Sequence, residues 1–549
     1  MTKRTAARAL VEVLIAQGVE RVFCVPGESY LAVLDALYEA RDRIDTIVCR
    51  HEAAAANMAE AMGKLTGRPG VAFVTRGPGA SHAAVGVHTA KQDSSPMILF
   101  IGQVARGDRE REAFQEVDYR AFFGPMTKWA SEIDAADRVP EFVERAVATA
   151  MQGRMGPVAL ALPEDMLTEE TDAVVGSRVE PARGGFDPGA AEKIEALLVK
   201  AQKPFLVLGG SGWDEASTKA IADFAARADL PTALSFRRKH LIDNEAPIYA
   251  GDLGLGPNPK LVARLREADL VIAIGARLGE NPTQGYTLFT REETARKLVH
   301  IHADPEEIGR VWPPLLGAVS HPGNAAEALS ALNVKPTWKA WREAARADFE
   351  AYATPMQLNN AVNLSRVYTH LAEAAPGAII ANDAGNFAIW LHRYYRHRRF
   401  NTQVGPTSGA MGYAIPAAIA AKLQHPEHDV FAVLGDGGFM MEGNELATAA
   451  QYGVGIIVLL VDNGSFGTIR MHQERHYPAR VHATDLKNPD FVKYAESFGI
   501  WARSVERTED FPSALEAARA VKGPALVHIK VDVETIAPGV TISGLRGKL

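Results

Sequence analysis

The stretch VFAVLGDGGFMMEGNELATAAQYGVGIIVLLVDNGS, residues 430–465, decides how the whole chain is read. VFAVLG and GIIVLLVD are short, uninterrupted apolar runs, the pattern of parallel strands buried on both faces. The intervening MEGNELATAAQYG is long enough for a helix, so the segment predicts a strand–helix–strand unit. Asp436 then stands at the carboxyl end of the first strand, and Asn463 at the same sheet edge on the second. Gly435, Gly437 and Gly438 let backbone approach an anion closely, and the helix turns its positive end toward the same spot. The Asp436 carboxylate, the Asn463 amide oxygen and the Ser465 carbonyl are hard oxygen donors, suited to Mg²⁺ or Ca²⁺ bridging a diphosphate. Gly-Asp-Gly-Gly or Asp-Asn-Gly-Ser alone reads as a turn. At two strand ends one helix apart, they read as a site.

Working outward, apolar runs alternate with helical patterns along the chain, the mark of stacked parallel-sheet α/β units. RVFCVP at 21–26, GVAFVT at 70–75, MILFIG at 97–102 and VALALP at 158–163 predict strands of a first unit. A polar stretch at 168–188 reads as a linker. PFLVLGG at 204–210, LVIAIG at 270–275 and LVHIHAD at 298–304 predict a second unit, and the charged segment 333–360 a helix leading into the third. GAIIAND at 377–383 and PALVHIKVD at 524–532 complete that third unit. No repeat of solenoid length is present.

The 549 residues are 47% hydrophobic and 23% charged, which excludes a disordered or coiled-coil chain. With 66 acidic and 59 basic residues the net charge is -7, so no basic field points to nucleic acid. Cys24 and Cys49 cannot staple a chain of this length, which predicts a reducing, cytoplasmic setting. The opening MTKRTAARALVEVLIAQGV is spaced as an amphipathic helix rather than a signal peptide, and no apolar run is long enough to span a membrane.

The pairing of GDG with an Asn at a strand end, with 24 residues between Gly437 and Asp462, resembles the thiamine-diphosphate motif. The resemblance extends to SGAMGYAIPAAIAAK at 408–422, NDAGNFAIW at 382–390 and the long segment RHEAAAANMAEAMGKLTGRPGVAFVTRGPGASHAAVGVHTAKQDSSPMILFIGQV at 50–104. These are landmarks of the family of acetolactate synthase, pyruvate oxidase and related 2-oxo acid decarboxylases. The family implies a pyrimidine-binding domain at 1–170, a central Rossmann-like domain at 188–335 and a diphosphate- and Mg²⁺-binding domain at 355–549. It also implies a homodimer or homotetramer with active sites at the subunit interface, acting on a small 2-oxo acid.

The resemblance assigns roles residue by residue. Glu52 matches the glutamate that promotes the imino tautomer of the cofactor's pyrimidine. A carboxylate there is expected in a poorly hydrated pocket with a raised pKa. Met411 matches the apolar wedge between the cofactor's rings, and the Gly409 carbonyl the acceptor for its amino group. Gly385 and Asn386 match the loop touching the diphosphate, although acetolactate synthases usually carry Gln-His where this chain has Asn386-Phe387. Gln115, with Phe114 as an apolar wall, matches residues lining the neighbouring subunit's site.

Several positions depart from the synthases. Glu28 falls where simple decarboxylases work an acid/base carboxylate and where synthases have Gly-Gly-Ala; its plain reading is a helix-start glutamate. His82 replaces a usual asparagine, either as a proton donor near the reacting carbon or as a satisfied structural group. In the middle domain, GDLGLG at 251–256 and Arg277-Leu278-Gly279-Glu280 differ from the flavin-binding stretches, so bound FAD is not favoured. His472, Gln473, Glu474 and His476, in the segment 467–480 expected to cover the pocket, stand where a tryptophan is usual. The run HRYYRHRRF at 392–400 reads as a solvated or interfacial face.

Together these readings predict an acetolactate synthase-like carboligation. The alternatives are a 2-oxo acid decarboxylase or 2-hydroxyacyl lyase releasing aldehyde, a flavin oxidoreductase, and a non-catalytic α/β binding protein.

Overall fold

A computed structural model describes residues 3–547. It contains two compact units: Met1–Ala182 with Pro406–Pro426 and Phe439–Ile456, and Arg183–Gly405 with Glu427–Gly438 and Ile457–Leu549. Three six-stranded, wholly parallel sheets carry the architecture, one in the first unit and two in the second, as the alternation of strands and helices predicts.

The first unit's sheet runs, in spatial order, Asp45–Val48, Arg21–Cys24, Gly70–Val74, Met97–Gln103, Pro157–Pro163, Trp129–Glu132. One sheet of the second unit runs Tyr249–Leu253, Thr232–Ser235, Pro204–Leu208, Leu270–Ile274, Leu298–His302, Leu316–Val319. The other runs Gln403–Val404, Ile379–Asn382, Val430–Gly435, Ile457–Asp462, Ala525–Lys530, Trp501–Val505. Numbered by chain order within each sheet, the middle one is 3-2-1-4-5-6, a doubly wound order. The first and third share the order 2-1-3-4-6-5, so one topology occurs twice along the chain. In both, the order reverses between first and third strands, where open α/β sheets bind ligands at their carboxyl edge.

Central strands lie where the sequence predicts them because they are apolar on both faces. Phe431, Val433, Leu459 and Leu460 are fully buried, and each such side chain contributes about 1.5–3 kcal/mol. The strands without a clear sequence signal lie mostly at or next to the edges. Trp129–Glu132, Leu316–Val319 and Trp501–Val505 are only partly buried, and the first and last of them mix polar with apolar residues.

Two expectations need correction. The helix after the glycines starts at Asp436, not near Met441. It runs Asp436–Glu442, tightens into a 3₁₀ turn at Gly443–Glu445, and resumes as Leu446–Gln451. The 168–188 stretch is not a free spacer. Glu170–Thr171 pairs antiparallel with Arg4–Thr5, and buried Gln17 bonds Ser177 O and Val179 N, which satisfies its amide.

Candidate active site

The third sheet's carboxyl edge gathers the predicted diphosphate and metal residues. Gly385 and Asn386 follow Ile379–Asn382, Asp436 follows Val430–Gly435, and Asn463 follows Ile457–Asp462. Asp436 is 2% exposed, and Nδ2 of Asn488 bridges its Oδ2 (2.8 Å) to Asp462 Oδ1 (2.9 Å). Oδ2 of Asp462 lies 2.9 Å from His528 Nε2. Burial, with Asp462 alongside, pushes the Asp436 carboxyl up to about 6 despite the Asn488 hydrogen bond. A buried carboxyl held beside a half-buried carboxylate is a donor set that a hard divalent cation relieves. Neither Asn488 nor His528 is legible in the motif. They lie outside it in sequence and reach it only through the fold.

The 463–465 turn is closed by Ser465 N donating to Asn463 Oδ1 at 3.1 Å. Ser465 Oγ donates to Thr484 O, while Phe466 N and Leu486 N pair this segment with 484–486. Those bonds use the Gly464 carbonyl and leave the metal role expected of Ser465 to its own carbonyl. Gly385 adopts φ +151°, a conformation that favours glycine, at the start of the helix Asn386–Tyr394. The Asn386 side chain donates to Ile536 O at 3.0 Å and accepts from Thr468 Oγ1 at 2.9 Å. It therefore ties this helix to the segments that follow Asn463 and Lys530.

Glu52 is the first residue of the helix Glu52–Thr66 in the first unit. Glu445 Oε1 accepts from the backbone N–H groups of Arg50 (2.8 Å) and His51 (3.0 Å), and this fixes the turn that presents Glu52. Alanines and glycines let Glu52–Thr66 lie tightly against Pro78–Asp93: a Cβ at Gly86 would stand 2.4 Å from Ala56 Cβ. The same packing brings His82 to Glu52, with Nδ1 2.9 Å from Oε2. The rings of His82 and His51 stack at 4.6 Å, and His51 Nδ1 is 3.1 Å from Glu442 Oε1. Burial and the neighbouring His82 hold His51 below the ordinary imidazole range. Of the two sequence readings of His82, a donor toward the reacting carbon or a satisfied group, the pairing of its ring with Glu52 fits the second.

Gly409, at φ +75° with open space where a Cβ would project, and Met411 lie on a loop anchored in the same unit. Thr407 N donates to Asp93 Oδ1, and Tyr413 OH donates to the fully buried Glu60, which also pairs with Lys64. Glu28 opens a short 3₁₀ turn, as its plain reading predicts, and is ion-paired with Arg76 at 2.7 Å. Gln115 adopts φ +66°, its backbone against Gly77, in a loop that leaves Phe114 74% exposed.

The cationic run 392–400 is partly neutralised by carboxylates of the same unit. Arg396 pairs with Glu245 and Glu350, and Arg398 with Asp243, so these charges are spent within the second unit. In the helix Gly467–His476, Glu474 is fully buried and accepts from Arg470, Arg546 and Ala479 N. The Arg546 hydrogen bond leads in holding its carboxyl down to about 2. Among the described residues no helix is long and apolar enough to cross a membrane.

Comparison with known proteins supplies the family. Residues 4–122 match the N-terminal TPP binding domain of thiamine pyrophosphate enzymes, 191–332 their central domain and 383–529 their C-terminal TPP binding domain. An acetolactate synthase of Arthrospira platensis is 30% identical over 99% of this chain and 98% of its own. The acetolactate synthase isozyme 2 large subunit of Escherichia coli is 29% identical over 99% of both chains. A probable acetolactate synthase large subunit of Methanocaldococcus jannaschii is 30% identical over 98% of this chain and 94% of its own. With the family's three domains in order along one polypeptide, this chain belongs to the thiamine pyrophosphate enzymes.

Proposed function

We propose that the protein is a Mg²⁺-dependent carboligase of 2-oxo acids, working as an acetolactate synthase does. In this reading the domains span 1–170, 188–335 and 355–549, and the enzyme is a homodimer or homotetramer with active sites at the subunit interface. The full-length likeness to acetolactate synthases supports ligation. The observation that carries the metal assignment is the Asp436–Asn488–Asp462 arrangement, with Asp436 buried, beside the sheet's switch point.

When bound, thiamine diphosphate supplies a nucleophilic thiazolium carbon and an electron sink for decarboxylation. The chain's own residues bind, orient and move protons. Asp436, Asn463 and the Ser465 carbonyl would hold the cation, with Gly437, Gly438, Gly385 and Asn386 lining the diphosphate's place. Asn488 and His528 orient the two carboxylates. The Gly409 carbonyl would accept from the aminopyrimidine, and Met411 would support the rings. Glu52, presented by Glu445, would supply and take up the proton at the pyrimidine nitrogen. Gln115 would contact the substrate or the cofactor's surroundings in the neighbouring subunit's site.

A second reading, a decarboxylase or lyase releasing aldehyde, draws on Glu28, which stands where simple decarboxylases place their acid/base carboxylate. Incubation with pyruvate, thiamine diphosphate and Mg²⁺, with products identified by mass, separates the two. Acetolactate or acetoin supports ligation. Acetaldehyde alone sinks it.

A further inference from the structure

Arg237 follows the strand Thr232–Ser235 of the middle sheet and is 1% exposed. Its backbone sits at φ +56°, a left-handed conformation that residues other than glycine rarely adopt. Strain of this kind persists where the surroundings hold it, and it clusters at functional sites. The guanidinium reaches away from the middle sheet to the third, where Nη2 donates to Asp383 O at 3.0 Å and Nη1 to Asn382 O at 3.3 Å. Those carbonyls end the strand Ile379–Asn382 and begin the turn into Gly385 and Asn386. We propose that Arg237 is a positioning residue of the diphosphate site, fixing from the central domain where Gly385 and Asn386 stand. The inference rests on the reading of those two residues as lining the diphosphate's place.

Lys239 grips the other end of the same segment. It is 2% exposed, and its Nζ donates to His392 O and Tyr395 O at the carboxyl end of the helix Asn386–Tyr394. A cation there meets the negative end of the helix dipole. Burial pushes the ammonium down to about 8, with Asp252 opposing the shift. Among the described residues Lys239 forms no ion pair, so the hold on these carbonyls is what its buried charge does.

A positioning group must itself be anchored. Arg238 turns back to the middle sheet, where its Nε donates to Gly210 O at 2.7 Å and its Nη1 to Arg237 O at 2.9 Å. Lys239 N donates to Gln403 Oε1 at 2.8 Å, on the strand paired with Ile379–Asn382. The guanidinium of Arg237 has little room to shift, since a Cβ at Gly405 would stand 2.9 Å from both its Nη1 and Asn382 Oδ1. Three consecutive cations thus lock the edge of one sheet to the strand and helix that bracket Gly385.

The test is calorimetric titration of the full chain, with Mg²⁺ present, by thiamine diphosphate and by inorganic pyrophosphate, which probes the diphosphate end alone. Arg237→Gly suits the positive φ, so it removes the guanidinium while relieving the backbone. It is expected to weaken both ligands by about 10-fold or more. Guanidinium ion, added far below denaturing concentrations, is expected to restore affinity in Arg237→Gly, which a general loss of packing would not allow. Arg237→Lys keeps a cation without the planar pair of donors and is expected to fall between wild type and Arg237→Gly. Wild-type affinities in both variants, with pyrophosphate binding weakened in Gly385→Ala, overturn the positioning role and leave the diphosphate reading standing. A loss that guanidinium leaves unrestored, with Arg237→Lys no better than Arg237→Gly, overturns it as well. Wild-type pyrophosphate affinity in Gly385→Ala overturns both the positioning role and the reading beneath it.

Discussion

Removing the Asn488 side chain tests the metal site without touching a proposed ligand. Its Nδ2 bridges Asp436 and Asp462 at 2.8 and 2.9 Å, so Asn488→Ala deletes two hydrogen bonds to carboxylates at once. Partners that orient metal-binding groups are worth about 10–100-fold in metal affinity. By the tenfold-per-1.4 kcal/mol relation, that is about 1.4–2.8 kcal/mol. It is comparable to one hydrogen bond to a charged group, about 1.5–3 kcal/mol. Asn488→Ala should therefore weaken Mg²⁺ binding by about 10–100-fold. Asn488→Asp adds a third carboxylate, so it should destabilise the cation-free protein and enlarge the rise in Tm that Mg²⁺ produces. Calorimetric titration of Mg²⁺ into protein saturated with thiamine diphosphate gives the affinities, and scanning calorimetry gives the Tm. An Asn488→Ala affinity matching wild type, with no Mg²⁺-dependent gain for Asn488→Asp, would refute the orienting role.

Gly86→Ala places a methyl 2.4 Å from Ala56 Cβ and 2.9 Å from Asn57 N. It should cost about 1–3 kcal/mol of stability, seen as a lower thermal midpoint. Glu474→Gln weakens the link that holds the helix Ile542–Arg546 to Gly467–His476. Hydrogen exchange over 542–546 should accelerate by about 10-fold or more while the central strands keep their protection. The pH sign follows from the depressed folded pKa of Glu474, about 2 against about 4.3 in an unfolded chain. The contribution is fully present above about pH 4.3 and is lost as pH falls toward about 2. Protection of 542–546 that stays constant through that fall would contradict the latch.

What the sequence alone determined is set by short-range physics. Strands such as Val430–Gly435 and Ile457–Asp462 are buried on both faces, so their apolar runs are continuous and their glycine- and Asn-bearing ends stand out. Edge strands such as Trp129–Glu132 are half-buried, so their mixed residues carry no comparable signal. The motif around Asp436 was legible because a strand end and the next turn are neighbours in sequence. The tertiary structure alone decided which groups complete each carboxylate. Asn488 reaches Asp436 across 52 positions, His528 reaches Asp462 across 66, and Glu445 reaches the turn before Glu52 across 394. His82 shows the same division: its identity was visible as a departure from a motif, but its partner was not. Periodicity and turn chemistry act over a few residues, whereas hydrogen-bond partners are selected by the packing of whole elements against one another.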